Sequence, residues 1–132
     1  MNDKLENSKL KRIKRKYESN EKLIIARCAR KTINYIVKNT DNFPNKYIVL
    51  KNNIKSECYE MLKNIYRANI FQDLNDKKEI MVNIEMLNYY LDEALREGIL
   101  TKKKFLSYAK YLNEIDRMIR SWMMNEANRK PI

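Results

Sequence analysis

Apolar side chains recur at three- and four-residue steps through most of this chain, most clearly between Thr101 and Asn125. In that stretch Phe105, Tyr108, Ala109, Leu112, Ile115, Ile119, Trp122 and Met123 fall on one side of a helix turning 100° per residue. Lys103, Lys110 and Arg117 project almost opposite. Tyr111 and Met118 widen the apolar side to roughly half the circumference. A helix with so much to bury needs more than one neighbour, which points to a bundle and to an oligomer of bundles.

The same period predicts three earlier helices. Leu23, Ile24, Ala26, Ile33, Ile36 and Val37 mark one over about 18–39, with Ser19 or Asn20 near its start. It stops in the turn-forming run 39–45, which contains Pro44 and an apolar anchor, Phe43. A second, over about 46–70, carries Leu50, Ile54, Cys58, Met61, Ile65 and Ala68 at near-heptad spacing, the seam of an antiparallel bundle. A polar break at 72–76 precedes the third, over about 76–97, with core face Ile80, Ile84, Leu87, Leu91, Ala94 and Leu95. Asn75 or Asp76 is its expected N-cap, and Glu79 completes a capping box if Asp76 is the cap. Gly98, the sole glycine, fits the positive-φ stop of that helix, with Leu95 and Ile99 as its hydrophobic contact. Thr101 then caps a fourth helix over about 101–125. So short a link forces the last two helices antiparallel. The fold class is all-α: an antiparallel up-down four-helix bundle over 18–132, behind a basic leader at 1–17.

Composition narrows this further. A chain of 132 residues is one domain by size and can bury a real core without disulfides or metals. One Gly and two Pro leave room only for long helices and short links. No run nears the roughly 20 apolar residues of a membrane span, and the N-terminus lacks the apolar core of a signal peptide. A cytoplasmic protein with no membrane association is expected. Cys28 and Cys58 form no metal pattern and there is no histidine to complete one, so both are read as small buried hydrophobes in a reducing compartment.

Charge changes the picture more. The formal net charge is +11, and only residues 71–100 are negative, at −4. A basic chain with one acidic helix suggests a polyanionic partner, and an acidic helix meeting a basic one across an interface. Plain solubility is the other reading of so many lysines. In the leader, Lys9, Lys11, Arg12, Lys14, Arg15 and Lys16 crowd together with only Leu10 and Ile13 among them. Such a block tracks phosphates by charge, or is a solvated extension of the first helix. Lys51, Lys55, Tyr59 and Lys63 descend one helix face as a ladder. It suits a nucleic-acid backbone with a stacked base, and equally a solvated stripe.

Catalytic signatures are missing. Without histidine there is no Ser-His or Cys-His nucleophile and no Glu-x-x-His pair for a di-iron bundle. One glycine excludes a phosphate-cradling loop. Glu85 and Asp92 fall on the solvent side of their helix. Met61, Met81, Met86, Met118, Met123 and Met124 recur at helical spacing, as core or interface residues do. A non-catalytic protein with no metal or cofactor is expected.

Two stretches carry a resemblance. One runs through Phe43, Pro44, Tyr47, Leu50 and Ile54 to Arg67, Ala68 and Asn69. The other holds Leu112, Glu114, Ile115, Arg117, Met118 and Trp122. Together they resemble a family of small bacterial and phage four-helix bundles. That family contains the accessory variability determinants of diversity-generating retroelements and the proteins encoded by intervening sequences in large-subunit rRNA genes. The likeness covers roughly 21–125 and leaves out the leader. The family's Leu-Gly step reads Leu50-Lys51 here, and its Gly-Gly before the tryptophan reads Arg120-Ser121.

The resemblance implies a homopentameric, positively charged barrel that binds a reverse transcriptase and its template RNA or cDNA and catalyses nothing itself. The expected phosphate contacts are then Lys51, Lys55, Lys103, Lys110, Arg117 and Arg120 with the leader's cluster. The expected subunit contacts are Tyr111, Met118 and Trp122. An intervening-sequence protein, or a module that binds an acidic protein surface, is the alternative.

Overall fold

The computed structural model describes residues 6–10 and 23–128, with side chains through Asn125. Residues 6–10 are helical and exposed. The bundle consists of α1 (Ile24–Thr40), α2 (Ile48–Phe71), α3 (Leu74–Arg96) and α4 (Lys102–Asn128), with a single 3₁₀ turn at Asn45–Tyr47 ahead of α2. Each helix packs on its neighbours in sequence, and α1 closes the ring against α4. Short links between successive helices make the order up-down-up-down.

Every helix contributes one stripe to a single core. From α1 come Ile25, Ala26, Ala29, Ile33 and Ile36, and from α2 Leu50, Ile54, Cys58, Met61, Ile65 and Ala68. From α3 come Ile80, Ile84, Leu87, Leu91 and Ala94, and from α4 Tyr108, Leu112, Ile115 and Ile119. Phe43 is buried beneath the α1–α2 turn, as an anchor should be. Cys58 is fully buried and Cys28 half-buried; both are free thiols.

Four details depart from the sequence reading. Leu23 is extended, so α1 begins at Ile24, and the proposed caps Ser19 and Asn20 lie outside the described residues. Ile24 is 67% exposed, because it sits about 140° round the helix from the buried stripe at 100° per residue. The N-cap of α3 is Asp73 and not Asn75 or Asp76: its carboxylate accepts from the Asn75 N–H at 2.9 Å. Asp76 is buried instead and accepts from Arg67 Nε at 3.2 Å. The α2–α3 turn also needs a left-handed residue, Gln72 at φ 56°, which its polar run did not announce.

The α3–α4 turn is as expected. Gly98 lies at φ 76°, its N–H donates to the Leu95 carbonyl at 3.1 Å, and the Ile99 N–H donates to the Ala94 carbonyl at 3.1 Å. These are the two hydrogen bonds of a Schellman stop. The Thr101 hydroxyl then accepts from the Lys104 N–H at 3.2 Å and starts α4.

Candidate nucleic-acid interface

The basic side chains divide by whether they are already paired with an acid. On α2, Lys55 Nζ lies 2.8 Å and Lys51 Nζ 3.8 Å from Asp41 Oδ1 in the turn after α1. Lys51 also donates to the Asp41 carbonyl at 3.3 Å. The Lys55 hydrogen bond holds the Asp41 carboxyl below its ordinary value, with Lys51 adding to it. Asp41 is the exposed member of both pairs, while Lys51 and Lys55 are half-buried. Arg120 Nε lies 2.8 Å from Asp116 Oδ2 on its own helix.

Lys103, Lys110 and Arg117 differ: among the described residues they make no ion pair. They stand exposed at seven-residue steps on the outer face of α4, roughly 10.5 Å apart along the axis. The helices α2 and α4 are not neighbours in the ring. Lys51 and Lys55 are therefore on another side of the bundle from Lys103, Lys110 and Arg117, and the expected phosphate contacts do not form one patch in a single subunit. Lys9 is exposed on the helical stretch 6–10, while Lys11, Arg12, Lys14, Arg15 and Lys16 lie outside the described residues.

Tyr111, Met118 and Trp122 line the edge of α4 that meets α1. Near the end formed by the start of α1 and the close of α4, an open groove of about 570 Å³ runs between Leu23, Ile24 and Ile25 on one side and Arg117, Met118, Ser121, Trp122 and Asn125 on the other. Its wall is mostly apolar, and Met118 and Trp122 are half-buried in it. The Trp122 ring is also covered from inside, where Lys77 Nζ sits 4.5 Å from its centroid. Tyr111, 37% exposed, contacts Tyr35 of α1 at 5.8 Å between ring centroids. Across the bundle, Glu79, Glu85 and Glu97 are exposed on or just after α3. The acidic and basic helices thus present opposite charge to the outside.

Three features escaped the sequence reading. A chain of hydrogen bonds crosses the α2–α3 seam: Asn64 Nδ2 donates to Asn83 Oδ1 at 2.8 Å, and Asn83 Nδ2 to Glu57 Oε1 at 3.3 Å. Lys77 is fully buried although it is a lysine. On α1, Lys31, Tyr35 and Lys38 share one exposed edge with Tyr111 of α4, around a hollow of about 260 Å³. Their i, i+4, i+7 spacing was present in the sequence, but no feature of α1 alone indicates which helix would close the other side.

The sequence profile of the bAvd-like family matches residues 23–126. The chain belongs to the bAvd-like family. No curated protein matches it. The matched span starts one residue before α1 and takes in nearly all of α4, so the bAvd-like portion is the bundle itself. Among its described residues no three or more His, Cys, Asp or Glu side chains gather as a metal site. Nor, among the described residues, is any helix long and apolar enough to cross a membrane.

Proposed function

We propose that this bAvd-like protein is a non-catalytic accessory subunit of a diversity-generating retroelement. It assembles with copies of itself, as a ring of five, and holds a reverse transcriptase together with template RNA or cDNA in the cytoplasm. Membership in the bAvd-like family carries the reading. The net charge of +11 and the stripe Lys103, Lys110 and Arg117, which makes no ion pair among the described residues, support it. In a ring, that stripe recurs once per subunit, so modest contacts add along one polyanion. Packing acidic α3 of one subunit near basic α4 of the next lowers the repulsion that such a charge imposes on assembly. The groove wall of Met118 and Trp122 supplies apolar area for the same contact.

Phosphate contacts release counterions, so affinity must fall with salt, by about 0.7 log units per contact per tenfold salt for single strands. Fluorescence anisotropy of a labelled structured RNA at low and moderate salt tests this. The reading expects a clear loss of affinity between the two, and a further loss of at least tenfold in K103E/K110E/R117E. Affinity indifferent to salt and to that triple change would remove the phosphate-contact role. Co-purification of the encoded reverse transcriptase with the tagged protein tests the partner. Its failure would leave an intervening-sequence type of bundle, or a module for acidic protein surfaces, as the better description.

A further inference from the structure

The hollow at the middle of the α1–α4 seam has a chemistry distinct from the rest of the surface. It is lined by Lys31, Thr32, Asn34, Tyr35, Lys38 and Tyr111, with no acidic residue. Neither lysine makes an ion pair among the described residues. Tyr35 is fixed from two directions by edge-on rings, Tyr108 at 5.1 Å and 80° and Tyr111 at 5.8 Å and 82°. Tyr108 is fully buried, so it anchors Tyr35 to the core. Tyr35 and Tyr111 remain 40% and 37% exposed, presenting ring surface at the mouth. The Thr32 hydroxyl is turned to the Cys28 carbonyl at 2.8 Å, which leaves the Asn34 amide as the adaptable polar group of the lining.

From these observations we infer that the seam hollow is a pocket for one unpaired nucleobase of a single-stranded RNA or DNA. The base stacks on the face of one of the two rings, Tyr35 or Tyr111, and meets the other edge-on, since they stand at 82°, and the phosphates on either side of it meet Lys31 and Lys38. The inference rests on the nucleic-acid reading above and specifies where and how a strand is held. Rigid aromatic platforms flanked by cations are the physical basis of sequence-tolerant single-strand binding. Lys31 and Lys38 lie seven residues apart, roughly 10.5 Å along the helix, a span two flexible lysines can close onto neighbouring phosphates. The volume, about 260 Å³, is below the range of about 300–1,000 Å³ typical of drug-sized ligands, and suits a base more than a larger cofactor. A base-paired strand cannot enter, since its ring faces are already stacked. Tyr111, expected from its helical position to meet another subunit, is assigned to this pocket instead.

The test compares three labelled oligonucleotides by anisotropy on the full-length protein: a single strand, its duplex, and a strand of the same length with abasic positions. Loss of one stacked base costs about five- to one-hundred-fold in affinity. The single strand should bind at least fivefold tighter than the abasic strand, and Y111A should remove that advantage while Y111F keeps it. K31Q/K38Q should lower the salt slope by about 1.4, two contacts at 0.7 each. Photocrosslinking of a 5-iodouridine strand to the unaltered protein, mapped by mass spectrometry, needs no variant to fold, and should label Tyr35 or Tyr111. Equal affinity for normal and abasic strands, with crosslinks only elsewhere, would overturn the pocket while leaving phosphate binding intact. No binding of any strand would overturn both.

Discussion

Asn83 joins two hydrogen bonds that keep polar atoms satisfied inside the α2–α3 seam. Replacing it with leucine leaves the buried Asn64 amide without its partner, at a cost of about 1–3 kcal/mol. Asn83→Leu should lower the denaturant midpoint accordingly, and N64L/N83L should recover much of the loss, because both members of the pair are then apolar. Cys58 makes a second prediction at this scale. Burial pushes its thiol up to about 12 from 9.0, with Glu57 adding. The folded chain keeps that proton where the unfolded chain releases it. Its contribution to stability is therefore whole below pH 9 and is lost as pH rises through 12. Cys58→Ala should flatten the alkaline decline in unfolding free energy by up to about 1.4 kcal/mol per pH unit, seen as the difference between the two proteins' denaturation curves. At pH 8 a thiol reagent should label half-buried Cys28 readily and Cys58 only as fast as the bundle opens. Most core positions were legible because an apolar side chain at helical spacing has one place to go. Lys77 and Asn83 were not, since their burial depends on what faces them from α4 and α2, and helical period within one segment carries no such information.

The turns set the helices, and two left-handed residues make opposite predictions. An added Cβ at Gly98 meets nothing within 4 Å, so Gly98→Ala costs only backbone strain at φ 76°, about 1–2 kcal/mol. Gln72 bears the same kind of strain at φ 56°, and Gln72→Gly should raise stability by up to about 1 kcal/mol. Thermal melts of the two variants moving in the same direction would contradict this account of the turns. The Gly98 stop and the Thr101 cap could be read in advance because each is fixed by a single residue type with few alternatives. The start of α3 could not, because Asp73, Asn75 and Asp76 can all cap a helix within one turn. The choice fell to Arg67, which draws Asp76 into the interior and leaves Asp73 at the end. On α4 the broad apolar side was expected to exceed what one subunit buries. Part of it is used within the subunit, in the contacts of Tyr111 with Tyr35 and of Trp122 with Lys77.

For the whole molecule, charge and apolar edge make one claim between them. A chain carrying +11 repels its own copies, so assembly needs acidic α3, apolar α4 edges or a bound polyanion to offset that repulsion. The four-helix architecture was legible from periodicity, and the family from the order of residues around Phe43–Asn69 and Leu112–Trp122. Which basic side chains are already paired was not, because Asp41 meets Lys51 and Lys55 only once the α1–α2 turn has formed. The central claim, an oligomer that holds nucleic acid, is tested most directly by light-scattering mass with and without a structured RNA, at low and moderate salt. The account predicts a mass near five times the 16.0 kDa chain, rising with RNA at low salt and falling back as salt is raised. A 16.0 kDa particle unchanged by RNA would contradict it, and would make the apolar edge of α4 ordinary core and the charge a matter of solubility.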